Sequence, residues 1–461
     1  MRPLEILTSI FLAIFSLWPH DQQTHPLIIS ILPIITFFVL LIHLGIEGYR
    51  WQMIPLYLLM ILILISSLLK VDFNTTTSIL TFILLAASTA LPILLPVPII
   101  PKPRGQLQIG TTTFALTDNS RKELYSGKVE PRRIMIQVWY PANPKATDRP
   151  SPWMTNAKIF APAISSFIGL PSFFLDHLAL VKIPAYQEAQ PVPSNTGYPV
   201  ILFSHGWNGF NAQNTGQALE LASHGYVVIG IQHTYGAVAT VFPDGTIAYS
   251  NPNTLPDDSV PTDEYEITAR ILVSQWAGDL GFTLDYIEQQ NMDPKSPFFN
   301  LLDLTKVGAY GHSTGAGAAI EFCGIDARCK ALLGMDPFMR PVSAEVIDSG
   351  TSQPAFFMFS QIWKDDKASR NNELFSKYYA HLPKDTRVVF IENTAHYDFA
   401  DIPLLSPIAP QLGLKGSING QRVIKIIVDY LLSFFDLTLR GKPTDLVEKT
   451  STKYPEVHYL H

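Results

Sequence analysis

The pentapeptide Gly311-His312-Ser313-Thr314-Gly315 sets a serine between two glycines at the spacing G-x-S-x-G. A serine hydroxyl is a weak nucleophile. It attacks a carbonyl only when a base takes its proton and a carboxylate orients that base. The chemistry this spacing predicts is acyl transfer, with Ser313 as nucleophile. The apolar run Val307–Tyr310 before it reads as a strand, and the small-residue stretch Ala316–Glu321 after it reads as a helix start. A strand-to-helix turn tight enough to lift a serine above a sheet needs glycines on both sides, because a Cβ there would clash. The competing reading is a glycine-rich turn without chemistry.

Turns of this kind are followed along the chain by the acid and then the histidine. Asp336 ends the next apolar run, Leu332-Leu333-Gly334-Met335-Asp336-Pro337. Asp326 precedes that run and Asp348 lies well past it, so both are worse placed. His396 follows the run Arg387–Glu392 after a short Asn-Thr-Ala loop. His381 lies in a polar helical stretch, and His458 and His461 sit in the tail. Asp336 is therefore expected as the acid and His396 as the base. The alternatives are a turn-forming aspartate before Pro337 and a surface-loop histidine. The tetrahedral intermediate needs two preorganised backbone donors for its anionic oxygen. Thr314 is expected to supply one at the helix start. Trp207 is expected to supply the other, in the loop Ser204-His205-Gly206-Trp207 after the run Val200–Phe203. His205, His233 and His312 are expected to brace the site. The chemistry calls for no metal and no cofactor.

Holding these residues together takes a sheet. Arg133–Tyr140 alternates Ile134, Ile136 and Val138 and stops at Pro141. Tyr198–Ser204, Tyr226–Ile231, Val307–Tyr310, Ala331–Met335, Ala355–Phe359 and Val388–Ile391 are short, nearly unbroken apolar runs. Such runs suit strands buried on both faces. Helical stretches lie between them, among them Glu264–Gln290 and Val423–Phe435. The alternation predicts an α/β fold, a mostly parallel sheet with helices on both faces. The stretch 150–190 breaks the pattern with Ile159, Phe160, Phe167, Phe173, Phe174 and Leu175 among prolines. It reads as an insertion, either a lid or membrane-touching flap, or an ordinary packed excursion.

The chain of 461 residues is 47% hydrophobic and only 16% charged, against about 25% charged in ordinary soluble domains. The deficit lies in the first hundred residues. Four apolar stretches occur there: Leu4–Leu17, Leu27–Leu44, Met53–Leu69 and Ile79–Ile100. A span takes ~20 helical residues. The last three approach that length without Asp, Glu, Lys or Arg, while the first is short and carries Glu5. A multi-pass region of about four transmembrane helices is expected over 1–104, followed by the catalytic domain over 105–461, the boundary falling in the proline-rich sequence after Pro96. With four spans, Arg2, Arg50, Lys102 and Arg104 share one side and Lys70 the other, which favours a cytoplasmic catalytic domain. A Cys323–Cys329 disulfide would favour the opposite side, and the sequence leaves that pairing open. The net charge of -6 and the lack of a basic run argue against nucleic acid as a partner. The expected partners are the lipid bilayer and an amphiphilic ester substrate. A transport or sensing protein would need polar residues along its spans, and only His43, Thr36 and a few serines and threonines occur there.

The stretches RRIMIQVWYPA (132–142), PVILFSHGWNGF (199–210), SHGYVVIGIQH (223–233), VGAYGHSTG (307–315), LLGMDPF (332–338) and AHYDFADIP (395–403) together resemble the α/β-hydrolase family of plasma-type platelet-activating-factor acetylhydrolases and their bacterial relatives. The resemblance covers most of the chain after about residue 105. It implies Ser313 as nucleophile, Asp336 as acid, His396 as base, and oxyanion donors at Trp207 and Thr314. The family usually carries a leucine where Trp207 stands and an aromatic where Thr314 stands, changes that spare backbone donors and reshape the acyl pocket. The expected activity is a serine ester hydrolase acting on lipid or short-acyl esters. The alternatives are a carboxylesterase or polyester hydrolase on non-lipid esters, and a catalytically silent membrane sensing or binding protein.

Overall fold

The apolar runs pair side by side into one eleven-stranded sheet in the computed structural model, which describes residues 1–17, 26–69, 75–256, 259–366 and 369–460. The strands are β1 (Gln108–Lys122), β2 (Pro131–Ala142), β3 (Pro150–Pro152), β4 (Lys182–Gln187), β5 (Tyr198–Ser204), β6 (Val227–Gln232), β7 (Ala239–Val241), β8 (Ile247–Tyr249), β9 (Leu302–His312), β10 (Cys329–Met335), β11 (Ala355–Ser360), β12 (Arg387–Ile391) and β13 (Val457–Tyr459). The order across the sheet is β13-β12-β11-β10-β9-β5-β6-β2-β1-β4-β3, and β7 and β8 form a separate hairpin. From β6 to β12 every neighbouring pair is parallel. β2 runs antiparallel to both β6 and β1, and β13 antiparallel to β12.

The helices are α1 (Pro3–Leu17), α2 (Pro26–Ile46), α3 (Ile54–Leu69), α4 (Thr75–Leu94), α5 (Ala157–Phe167), α6 (Thr215–Ser223), α7 (Thr262–Met292), α8 (Thr314–Ile325), α9 (Ala344–Ser349), α10 (Gln361–Asp365), α11 (Arg370–Tyr379) and α12 (Gly420–Arg440). The strand period of two divides the interior into two cores. Ile201 and Phe203 face the core built with Tyr430, Phe434 and Phe435 of α12. Val200 and Leu202 face the core built with Trp276 and Leu280 of α7 and Phe322 of α8. This is why β5, β6 and β11 are buried at every position and apolar up to their last residues, Ser204, Gln232 and Ser360.

The sheet is larger than the apolar runs predict. β1 reads QIGTTTFALTDNSRK, polar along most of its length, and is held by its backbone ladder to β2. The excursion over 150–190 divides. β3 and β4 extend the sheet edge, while α5 and the turn Asp176–Leu180 leave it. Cys323 is joined to Cys329, tying the end of α8 to the start of β10.

The N-terminal helices pack as a bundle, α1 on α2 and α4, and α3 on α2 and α4. The expectation of four spans is not supported. Among the described residues two helices, Trp51–Leu69 and Thr75–Leu94, are long and apolar enough to cross a membrane. α1 has 15 residues, and the described apolar part of α2, Ile31–Ile46, is also short of a span. Only 33% and 17% of the two long windows is buried within the chain, so residues such as Leu58, Ile61, Ile65, Phe82 and Ile83 stay exposed. Lys70 and His461 lie outside the described residues. At the end of the bundle nearest the catalytic domain, the buried Arg50 fork grips both oxygens of Glu5 at 2.7 and 2.6 Å and donates to the Leu95 carbonyl at 2.8 Å. That ties α1, the start of α3 and the end of α4 to one point.

Candidate active site

Ser313 sits between the last residue of β9 and the first of α8, at φ 57° and ψ -125°. A non-glycine residue holds this strained conformation only where its surroundings impose it. Here its N–H donates to the Met335 carbonyl at 2.9 Å, and its carbonyl accepts from Ala316 at 3.0 Å and Phe338 at 3.1 Å. The two glycines are needed as the motif predicts. A Cβ on Gly311 would lie 2.3 Å from the Gly315 carbonyl oxygen, and one on Gly315 would lie 2.2 Å from that of Ser204.

Asp336 follows the last residue of β10 at a positive φ of 41° and is fully buried. One carboxylate oxygen accepts the Ser360 N–H at 2.7 Å. The other accepts the Ser360 hydroxyl at 2.6 Å and His396 Nδ1–H at 3.0 Å. Nδ1 is thus committed to Asp336, and Nε2 has no hydrogen-bond partner among the described residues. The His396 ring stacks on Trp363, centroids 4.6 Å apart and planes 14° apart. Its carbonyl accepts from His312 Nε2–H at 2.9 Å. Burial, then the neighbouring His396, pushes His312 well down from its ordinary value, so His312 is a neutral brace. Asp398 shapes the same loop by accepting the N–H groups of Ala395 and Gly416. Among the described residues no hydrogen bond closes Ser313 onto His396. Such links tighten when the reacting carbonyl is in place, and both side chains line one cavity of about 370 Å³.

The Ser204–Trp207 loop comes beside the nucleophile. A Cβ on Gly206 would stand 3.4 Å from that of Ser313. Trp207 is fixed by its indole N–H, which donates to Thr254 Oγ1 at 2.9 Å. The backbone N–H groups of Trp207 and Thr314 have no carbonyl acceptor among the described residues, and both residues line the cavity.

A second Ser–His–Asp array lies behind that loop. The Ser204 hydroxyl donates to His233 Nε2 at 2.9 Å, and His233 Nδ1–H donates to Asp279 at 2.9 Å. Geometry alone would make this the better-formed relay. All three residues are fully buried and none lines the cavity, so no ester reaches them. Burial alone would raise the Asp279 carboxyl, but Arg132 and the hydrogen bond from His233 hold it below the usual carboxylate range. Burial lowers His233. His205 is lowered by burial too; its Nδ1–H donates to the Gly206 carbonyl and its Nε2 accepts the His233 N–H. These histidines brace the loop, as the sequence predicts. Ser360 and Trp363 carry no signal in the sequence, since they reach the site from the end of β11 with no motif to mark them.

A family model described as platelet-activating factor acetylhydrolase, isoform II, matches residues 96–264 and 280–447. The platelet-activating factor acetylhydrolase of Cavia porcellus is 27% identical over 73% of this chain and 77% of its own length. A probable 1-alkyl-2-acetylglycerophosphocholine esterase of Arthroderma benhamiae is 23% identical over 78% of this chain and 94% of its own. The solved structure of a ferulic acid esterase from Streptomyces cinnamoneus superposes with a TM-score of 0.65 at 25% identity, over 79% of this chain and all of that one. The matched segments run through every strand and turn that builds the site, and on that ground the chain belongs to the platelet-activating factor acetylhydrolase, isoform II family and is a carboxylic ester hydrolase of the α/β-hydrolase fold.

Proposed function

We propose that the chain is a serine ester hydrolase held at a membrane by its N-terminal helices, cleaving amphiphilic carboxylic esters through Ser313, His396 and Asp336. The observation that carries this reading is the 3.0 Å contact between Asp336 and Nδ1 of His396, which lines one cavity together with Ser313. His396 Nε2 takes the Ser313 proton as the hydroxyl oxygen bonds to the ester carbonyl. The oxygen that becomes anionic rests on the Trp207 and Thr314 N–H groups. The carbonyl–alkoxy bond breaks, and His396 returns the proton to the leaving alcohol. Water, deprotonated by His396, then attacks the acyl-enzyme and releases the acid and free Ser313.

The unburied apolar faces of α3 and α4 support insertion in a bilayer, with α1 and α2 packed beside them. On this reading the catalytic domain faces an oxidising compartment. The Cys323–Cys329 disulfide supports that side, whereas Arg2, Arg50, Lys102 and Arg104 favour the cytoplasm. A second reading, a carboxylesterase on aryl or other non-lipid esters, is favoured by the match to a ferulic acid esterase along its whole length. A panel of phenolic, short-acyl and phospholipid esters separates the two. Ser313→Ala is expected to abolish both p-nitrophenyl acetate hydrolysis and fluorophosphonate labelling. Undiminished turnover in that variant sinks the assignment.

A further inference from the structure

The membrane-side helices and the candidate active site share a wall. Leu95 follows directly on the last residue of α4 and lines the cavity that holds Ser313 and His396. Ser406, in the same lining, donates its hydroxyl to the Leu94 carbonyl at 2.5 Å. The insertion over 150–190 is tied to the other span. Trp51, which opens it, donates from Nε1 to the Phe174 carbonyl at 3.0 Å and sets its ring edge-on to Phe173 at 5.5 Å. Gln52 donates to His177 Nδ1 at 2.8 Å, and both side chains are buried. Burial pushes His177 down to about 4, which leaves that nitrogen neutral and able to accept.

The lining between these ties is apolar, with Ile164, Phe174 and Leu178 from the insertion and Leu405, Ala409 and Leu414 from the loop after His396. A volume of about 370 Å³ lies within the range of small-molecule sites, roughly 300–1,000 Å³. An apolar chain loses favourable surroundings whenever it crosses water. A site walled by the end of a membrane helix spares it that crossing.

We propose that this cavity takes the apolar chain of a lipid ester delivered sideways from the bilayer that holds α3 and α4, with Leu95 setting the length of chain accepted. The proposal rests on Ser313 as nucleophile and on the bundle lying in the membrane. It extends both by making the anchor part of the substrate site.

The test uses the full chain in phosphatidylcholine vesicles. Ethyl and dodecyl fluorophosphonates report Ser313 with and without a chain in the cavity. The dodecyl probe is expected to label at least tenfold faster, and Leu95→Trp is expected to cut that ratio at least fivefold. Equal rates in the native chain, or an unchanged ratio in the variant, overturn the cavity assignment. Should Leu95→Trp lose labelling by both probes, as a misfolded chain would, Ala409→Trp is read for the same ratio and the same two outcomes apply. Delivery is read separately with a fluorophosphonate carried on a two-chain phospholipid, which stays in its own vesicle. Labelling is expected to be at least tenfold faster when probe and protein share a vesicle. Equal rates, or no labelling in either arrangement while the ethyl probe still reacts, overturn bilayer delivery. Failure of the ethyl probe itself is the distinct result that removes Ser313 as nucleophile.

Discussion

Ser360 holds Asp336 from two sides, its backbone N–H on one carboxylate oxygen at 2.7 Å and its hydroxyl on the other at 2.6 Å. The second oxygen is the one that receives His396 Nδ1–H. The same hydroxyl oxygen accepts the Trp363 N–H at 3.3 Å, and Trp363 is the ring on which His396 stacks. One serine therefore orients Asp336 and seats the ring that flanks His396.

Ser360→Ala is expected to lower kcat with little change in KM. A hydrogen bond to a charged group contributes about 1.5–3 kcal/mol, which corresponds to roughly a ten- to hundredfold loss of rate. Ser360→Thr, which keeps the hydroxyl, is expected to recover most of it. Steady-state kinetics on p-nitrophenyl acetate checks both. Equal rates in Ser360→Ala and the native chain would show that the β11 end does not orient Asp336.

Asp279 accepts from Arg132 at 2.7 and 3.1 Å, from Arg121 at 2.9 Å and from His233 at 2.9 Å, all at a fully buried carboxylate. Breaking a buried charge network by removing one partner costs about 3–5 kcal/mol. Asp279→Asn is expected to lower Tm by several degrees. Ser204→Ala should lose less, because it removes one neutral donor, and should still label with fluorophosphonate at Ser313. Loss of labelling in Ser204→Ala, with the Tm near native, would mean that the buried relay takes part in the chemistry.

How much of this was legible in advance depends on how far each contact reaches along the chain. Ser313 carries its own local signal, because the tight turn demands Gly311 and Gly315. Asp336 and His396 could be read from the ends of apolar runs, because strands buried on both faces are continuous in sequence. Ser360 and Trp363 could not, since their roles arise where β11 runs beside β10 and nothing in their own neighbourhood records it. The insertion was visible as an interruption over 150–190. Its attachment was not, because Trp51 and Gln52 bond residues 123 and 125 positions away. β1 was missed because its hydrogen-bond ladder to β2 is made by backbone, which polar side chains do not prevent.

The Cys323–Cys329 disulfide makes membrane side measurable. If the catalytic domain faces an oxidising compartment, a maleimide polymer added to denatured whole cells should add no mass until reductant is supplied, and then two increments. Two increments without reductant would place the domain in the reducing cytosol, on the side that Arg2, Arg50, Lys102 and Arg104 favour.

Asp401 gives a pH dependence with a definite sign. Burial raises its carboxyl from 3.8 to about 7, opposed by the backbone N–H groups of Gly216 and Thr215 at the start of α6. A carboxyl whose folded value is raised favours the folded state below its unfolded value, and that favour is lost as pH rises through about 7. A shift from 3.8 to about 7 is on the order of 4 kcal/mol at most. Asp401→Asn keeps an oxygen for Gly216 and removes the ionisation. Its Tm relative to the native chain is expected to climb from pH 5 to pH 8, where the native chain must hold a buried carboxylate. Thermal unfolding of both chains across that range checks the sign. A difference that stays flat, or that falls toward pH 8, would mean that Asp401 is already ionised in the folded protein at pH 5 and that the α6 N–H groups outweigh its burial.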